Sequence, residues 1–109
     1  MAQVRPRVGT DEAERFAEAV LCLVERIPPG RVMSYGAIAG VIGGSGPRRV
    51  GQVLARDGGG VPWWRVVRAD GTPPACHGGR SRAAYAREGT PLRPGGVRVD
   101  MTAAAWWPD

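Results

Sequence analysis

Two adjacent indoles, Trp63 and Trp64, stand between the triglycine Gly58-Gly59-Gly60 and a short apolar run, Arg65-Val66-Val67-Arg68, in a chain of 109 residues. A tryptophan brings a large apolar face and one N–H that needs a partner once buried, so the pair demands a core close by or something flat to receive. A chain of this length supports one domain with a single core, in which about two-thirds of the unfolded surface is buried. The indoles therefore belong either to that core or to the one site it can carry.

The segment before them has helical periodicity. Phe16, Val20, Leu23, Val24 and Ile27 recur at three- and four-residue steps, which places one apolar stripe on a helix. Asp11 with Glu14 three residues on fits a capping box, so the helix is expected from about Asp11 to Arg26, with residues 1–9 a frayed start and Cys22 a small residue on or near the packed side. Ile27-Pro28-Pro29-Gly30 stops it, because two prolines supply no N–H and the glycine permits a sharp change of direction.

Ser34 then stands where an N-cap belongs, ahead of a short second helix built from small residues, Tyr35 to Ile42. Gly43-Gly44-Ser45-Gly46 turns the chain, and Pro47 opens a third helix to about Arg56 that carries Arg48, Arg49, Gln52 and Arg56. Two short helices joined by a glycine-containing turn make a helix-turn-helix. Beyond the indoles, Asp70-Gly71 signals a hairpin, residues 72–79 a loop, Ser81 to Glu88 a helix ended by Gly89, and Val97 to Met101 a half-buried strand. The expected fold is mainly α with a small β-hairpin, a winged helix-turn-helix-like arrangement in a single domain over residues 1–109.

Charge gives the helix pair something to act on. All 15 cationic side chains are arginine and the formal net charge is +5. A guanidinium offers a planar fork for phosphate oxygens and a face that stacks on bases, so nucleic acid is the natural partner, although base composition of the genome also enriches arginine. Metal chemistry has no footing: Cys22, Cys76 and the lone His77 cannot assemble a ligand cluster, and no metal or cofactor is expected. No apolar run approaches the roughly 20 residues of a membrane span and no secretion signal is visible, so a cytoplasmic protein without a membrane partner is expected.

Four stretches carry a family resemblance. Ile27-Pro28-Pro29-Gly30-Arg31-Val32-Met33-Ser34-Tyr35-Gly36-Ala37-Ile38-Ala39 resembles the I-P-x-G-x-V-x-[ST]-Y-G-x-I-A signature of the DNA-binding domain of O6-alkylguanine-DNA alkyltransferases. Arg48-Arg49-Val50-Gly51 is similar to that family's R-x-V-G recognition helix, Pro62-Trp63-Trp64-Arg65-Val66 to its P-C-H-R-V active-site motif, and Glu88-Gly89 to its Glu-Gly pair. Trp63 stands where the family has its nucleophilic cysteine and Trp64 where it has the activating histidine. Alkyl transfer needs a thiolate and a base to make it, and an indole supplies neither. A tryptophan at the cysteine position, with the aromatic-proline tail Trp107-Pro108, resembles the alkyltransferase-like proteins.

That resemblance implies non-enzymatic recognition of O6-alkylguanine in double-stranded DNA, through minor-groove binding and nucleotide flipping. It further implies marking of the damage for nucleotide excision repair proteins, by a monomer that is nucleoid-associated when bound. By position, Arg48 is the finger that fills the vacated stack and Tyr35 helps turn the phosphate. Ser34, Arg49, Gly51 and Gln52 complete the DNA-binding set, with Arg49 a phosphate clamp and Gly51 keeping the helix near the sugar edges. The lesion pocket is expected from Tyr35, Trp63, Val66, Leu54, Val61 and Pro62, with Trp63 as the wall and Trp64 a packing residue beneath. Asp57 falls where the family braces the loop before the site, the resemblance leaves open whether Arg80 or Arg82 contacts the lesion, and it leaves open any link between Trp64 and Glu88.

Two other functions fit parts of the chain. Cys76-His77 invites a displaced alkyltransferase nucleophile, though adjacent residues are poorly placed for one side chain to activate the other. A helix-turn-helix transcriptional regulator is the second, but regulators usually dimerise and no dimerisation helix is evident.

Overall fold

The computed structural model describes residues 8–75 and 77–109, with the side chains of residues 8–11 and 78 left aside. Helix α1 (Val8–Arg26) leads to a two-residue strand β1 (Met33–Ser34), then α2 (Tyr35–Ile42) and α3 (Pro47–Asp57). Strand β2 (Val66–Val67), α4 (Ser81–Glu88) and α5 (Met101–Ala104) follow, and short 3-10 turns stand at Gly58–Gly60, Trp63–Arg65 and His77–Gly79.

The apolar stripe of α1 goes where its spacing directs it. Phe16, Val20, Leu23, Val24 and Ile27 are all buried and meet Ile38 and Ala39 of α2, Val50, Val53 and Leu54 of α3, and Met33 and Val66 of the strands. Each such aliphatic or aromatic burial is worth about 1.5–3 kcal/mol, so these contacts hold the three helices together. A second cluster, Val32, Val67, Tyr85, Val99 and Ala104, lies on the other side of the strands and receives Trp64, Leu92 and Met101.

Helix α2 starts as its sequence directs: extended Ser34 accepts the Ala37 N–H on its hydroxyl at 3.0 Å, and this sets Tyr35 as the first helical residue. Helix α3 opens with Pro47, and α4 closes at Gly89 in the left-handed region.

The expectations fail at four places, each for a local reason. The first helix begins at Val8, so Asp11 lies inside it and not at a cap; Gly9 costs a helix about 1 kcal/mol without forbidding it. Residues 1–7 of the expected frayed start lie outside the described residues. Cys22 is exposed, one step off the buried stripe.

The small sheet is not a hairpin: β1 and β2 pair in parallel, Met33 opposite Val66 and Ser34 opposite Val67. The Asp70-Gly71 turn does form, with Arg68 N–H on the Thr72 carbonyl at 3.0 Å, but Pro73 and Pro74 follow and have no N–H with which to continue a ladder. The expected last strand is reduced to one bridge, Val99 opposite Leu92, because Asp100 caps α5 through the N–H groups of Thr102 and Ala103. The chain end then returns beside β1, Val32 donating to Ala104 and accepting from Trp106.

Candidate nucleic-acid interface

The two short helices present a cleft. Residues three and four apart share a helix face, and on α3 that spacing brings Arg48, Gly51 and Ala55 to one side. Together with Tyr35 and Pro47 they line a cavity of about 380 Å³ whose opposite wall is Arg68, Pro74 and Ala75. The volume falls within the roughly 300–1,000 Å³ of small-ligand clefts. Arg48 and Arg68 are exposed, which sets two guanidinium groups at one opening.

A Cβ built on Gly51 would lie 3.7 Å from Cε1 of Tyr35, an ordinary contact. Gly51 is therefore not forced by packing; its smallness leaves the cleft floor open between Arg48 and Tyr35.

The neighbouring face of α3 is committed elsewhere. Arg49 holds Glu12 of α1 through both guanidinium nitrogens, at 2.7 and 3.2 Å, and lies 4.2 Å over the Phe16 ring. The Arg49 hydrogen bond lowers the Glu12 carboxyl below its ordinary range, and the same contact raises the guanidinium. Without DNA, Arg49 thus braces α1 against α3 and does not line the cleft. Gln52 is exposed on this α1-facing side, away from the residues that line the cleft.

The expected lesion-pocket residues lie mostly in the interior. Trp63 is 6% exposed, Leu54 1% and Val66 0%, while Val61 and Pro62 are half-buried. Trp64 meets Trp63 edge-on, with centroids 5.4 Å apart at 86°, and His77 lies across the Trp63 ring at 4.6 Å and 32°. Of the six pocket residues only Tyr35 lines the cleft, and Trp63 stands behind the His77 ring.

Beneath the indoles a polar knot fastens three segments. Glu88, at the end of α4, accepts from Arg65 on both oxygens, from the Gly30 N–H at 3.1 Å and from the Trp64 indole N–H at 2.9 Å. Arg65 also donates to the Ile27 carbonyl at 2.8 Å, and the Tyr85 hydroxyl to the Trp64 carbonyl at 2.7 Å. Burial pushes the Glu88 carboxyl up, but its donors, Arg65 first, outweigh this and hold it below its ordinary range. Burial raises the Tyr85 phenol.

Gly30 has φ +83°, and a Cβ there would come within 3.2 Å of the Glu88 carbonyl, so the turn after α1 is shaped to this knot. Trp64 is therefore more than a packing residue: it occupies one of the donor positions around Glu88.

The remaining expected residues are placed as follows. Asp57 is exposed and pairs with its neighbour Arg56, so it braces no loop; the Leu54 carbonyl does that, accepting the Gly58 N–H with His77 Nε2 at 3.1 Å. Arg80 donates to the His77 carbonyl and Arg82 to the Gly96 carbonyl, both exposed and neither lining the cleft. Cys76 lies outside the described residues. Among the described residues no cluster of histidine, cysteine or carboxylate side chains could hold a metal ion, and no helix is long and apolar enough to cross a membrane.

Sequence reasoning missed Arg68, Ala55, Pro74, Ala75 and His77. Only Ala55 left a signal, its spacing from Arg48 and Gly51; the others enter because the loop after β2 folds back over α3.

Comparison with known proteins agrees with this placement of elements. Residues 15–90 match the family described as 6-O-methylguanine DNA methyltransferase, DNA binding domain. The chain is 33% identical to a DNA base-flipping protein of Escherichia coli (strain K12) over 103 residues, covering 88% of this chain and 78% of that one. A DNA base-flipping protein of Vibrio parahaemolyticus is 34% identical over 61 residues, and this match spans 53% of this chain and 61% of that protein. The structure of S. pombe Atl1 in complex with damaged DNA containing O6-carboxymethylguanine superposes with a TM-score of 0.73 at 28% identity, covering 87% of this chain and 97% of that one. A second structure, of S. pombe ATL in complex with DNA, gives 0.72 at the same identity and coverage.

Proposed function

The chain belongs to the family of the 6-O-methylguanine DNA methyltransferase DNA-binding domain, and from that premise we propose that it recognises O6-alkylguanine in duplex DNA by turning the nucleotide out of the helix, without removing the alkyl group. The observation that carries this is the cleft itself. Tyr35 from one motif and Arg48 and Gly51 from another line one opening with Arg68 across from them. Flipping a nucleotide costs a few kcal/mol of stacking, and a guanidinium plane such as that of Arg48 can fill the vacancy while Arg68 meets a phosphate.

The absence of turnover rests on chemistry. The side chain at the centre of the P-x-x-R-V stretch is an indole, with no lone pair for attack, and Glu88 is bound to Arg65 and the Trp64 N–H with no imidazole to serve. Cys22 is exposed on α1, where it lines a separate hollow with Leu21, Arg56 and Asp57 and not the cleft. A protein that binds the lesion and leaves it in place requires an excision pathway to finish, and nucleotide excision repair is the one the resemblance implies.

The test is competition between duplexes with and without a single O6-methylguanine, the methyl group carrying a radiolabel. Preferential binding of the damaged duplex with no label on protein is expected. Equal affinity would favour a sequence-reading regulator, and label on Cys76 or Cys22 would make the protein an enzyme.

A further inference from the structure

Trp63 is covered on its face by a side chain that the family resemblance does not explain. His77 lies on that ring at 4.6 Å and 32°, close to the geometry in which a flat heterocycle stacks on an aromatic wall. Its Nε2, carrying the proton in the tautomer that can donate, points at the Leu54 carbonyl 3.1 Å away. Gly58 and Gly59 lie beside the ring: a Cβ built on either would stand 3.7 or 3.9 Å from the imidazole, an ordinary contact. His77 is the one non-glycine described residue in the left-handed region, at φ +59°, a backbone conformation that side chains disfavour.

A residue there for core packing alone would be expected to sink fully and to rest in an ordinary backbone conformation. His77 does neither: it is half-buried at positive φ, and its ring is held by one aromatic contact and one carbonyl. Its own loop supplies Pro74 and Ala75 to the cleft, and the carbonyl that holds it belongs to Leu54, next to Ala55 of the cleft floor. Moving this loop would join the cleft to the face of Trp63.

We propose that His77 is a placeholder for the extruded base: without damaged DNA its imidazole occupies the aromatic face that the flipped purine takes, and the purine must displace it. The inference rests on the lesion-recognition reading above. It makes His77 a residue that sets selectivity, because a duplex bound without flipping leaves the ring in place, while a flipped base must bind well enough to expel it.

The chain has a single histidine, so its carbon-bound ring protons give NMR signals that need no assignment among rivals. In the free protein the Trp63 ring current should shift them upfield. Saturation with an O6-methylguanine duplex should move them back, and an undamaged duplex of the same sequence should not. Signals unmoved at saturation with the damaged duplex, or moved equally by both, would overturn the proposal. His77→Gly, which suits the positive φ, should bind the damaged duplex about two- to tenfold more tightly, the range of a lost aromatic contact; unchanged or weaker binding would also overturn it. If the wild type shows no preference for the damaged duplex, lesion recognition itself fails instead.

Discussion

The indole nitrogen of Trp64 donates to Oε2 of Glu88 at 2.9 Å, across 24 positions of sequence, from the position where the resembled motif has a histidine. The substitution exchanges a titrating donor for one that cannot give up its proton at any accessible pH. The contact fastens the 63–65 turn to α4. Trp64→Phe keeps the ring and removes the N–H, leaving a buried carboxylate one donor short. It should cost about 1–2 kcal/mol, or roughly 4–8 °C in Tm for each kcal/mol in a domain of this size. Thermal unfolding of the two proteins checks it.

Glu88 also predicts how stability responds to acid. Its carboxyl is held below the ordinary glutamate value of 4.5 in the folded protein by Arg65, the Gly30 N–H and Trp64. The unfolded chain therefore takes up the proton first as pH falls. The stabilisation is complete above the ordinary carboxylate range and is lost as pH drops through the lower folded value. Unfolding free energy should be flat from pH 7 to about 5 and decline below about 4.5. Glu88→Gln should start lower at pH 7 and decline less steeply, which urea titrations at a series of pH values would show.

Adjacent arginines on α3 should behave in opposite ways. Arg48 is exposed at the cleft, whereas Arg49 is folded onto Glu12 and Phe16. Arg48→Ala should weaken binding to a damaged duplex by a few kcal/mol, the cost of leaving the vacated stack unfilled. Arg49→Ala should leave that affinity within about threefold, since an exposed ion pair contributes little and its guanidinium does not reach the cleft. Fluorescence anisotropy with one labelled duplex separates the two, and equal losses would remove the distinction between the faces of α3.

The contrast between these arginines shows what the sequence could reveal. Helical periodicity located α1 to α4 within a few residues, because burial of a stripe and the chemistry of Ser34, Pro47 and Gly89 act locally. The motifs also named the residues that gather at the cleft, Tyr35, Arg48 and Gly51. Which side of α3 each arginine would face depended on α1 arriving beside it, and no pattern within α3 records that contact. The parallel strand pair was hidden for the same reason: Met33 and Val66 are 33 positions apart, and the hairpin signal at Asp70-Gly71 is genuine but leads only into two prolines. His77 was least legible of all, since a loop rich in proline and glycine gives no period from which a stacking partner can be read.

Trp63 carries the last prediction, because it is both a core residue and the proposed wall of the lesion pocket. At 6% exposure, with Trp64 at its edge and His77 on its face, truncation to alanine should cost about 3–5 kcal/mol. A domain of this kind has only about 5–15 kcal/mol in all, so Trp63→Ala should lose a large share of its stability, and a loss of binding in it would not separate core from pocket. Trp63→Phe keeps a ring against both neighbours and isolates the function. With the wild type, affinity for duplexes carrying O6-methyl, ethyl and propyl guanine should rise with each added CH₂ by at most about 0.8 kcal/mol, roughly fourfold. The smaller phenyl wall covers less of the alkyl chain, so the same series should rise less steeply for Trp63→Phe. Two parallel series would mean that the alkyl group lies against some other surface and that the indole serves only the core.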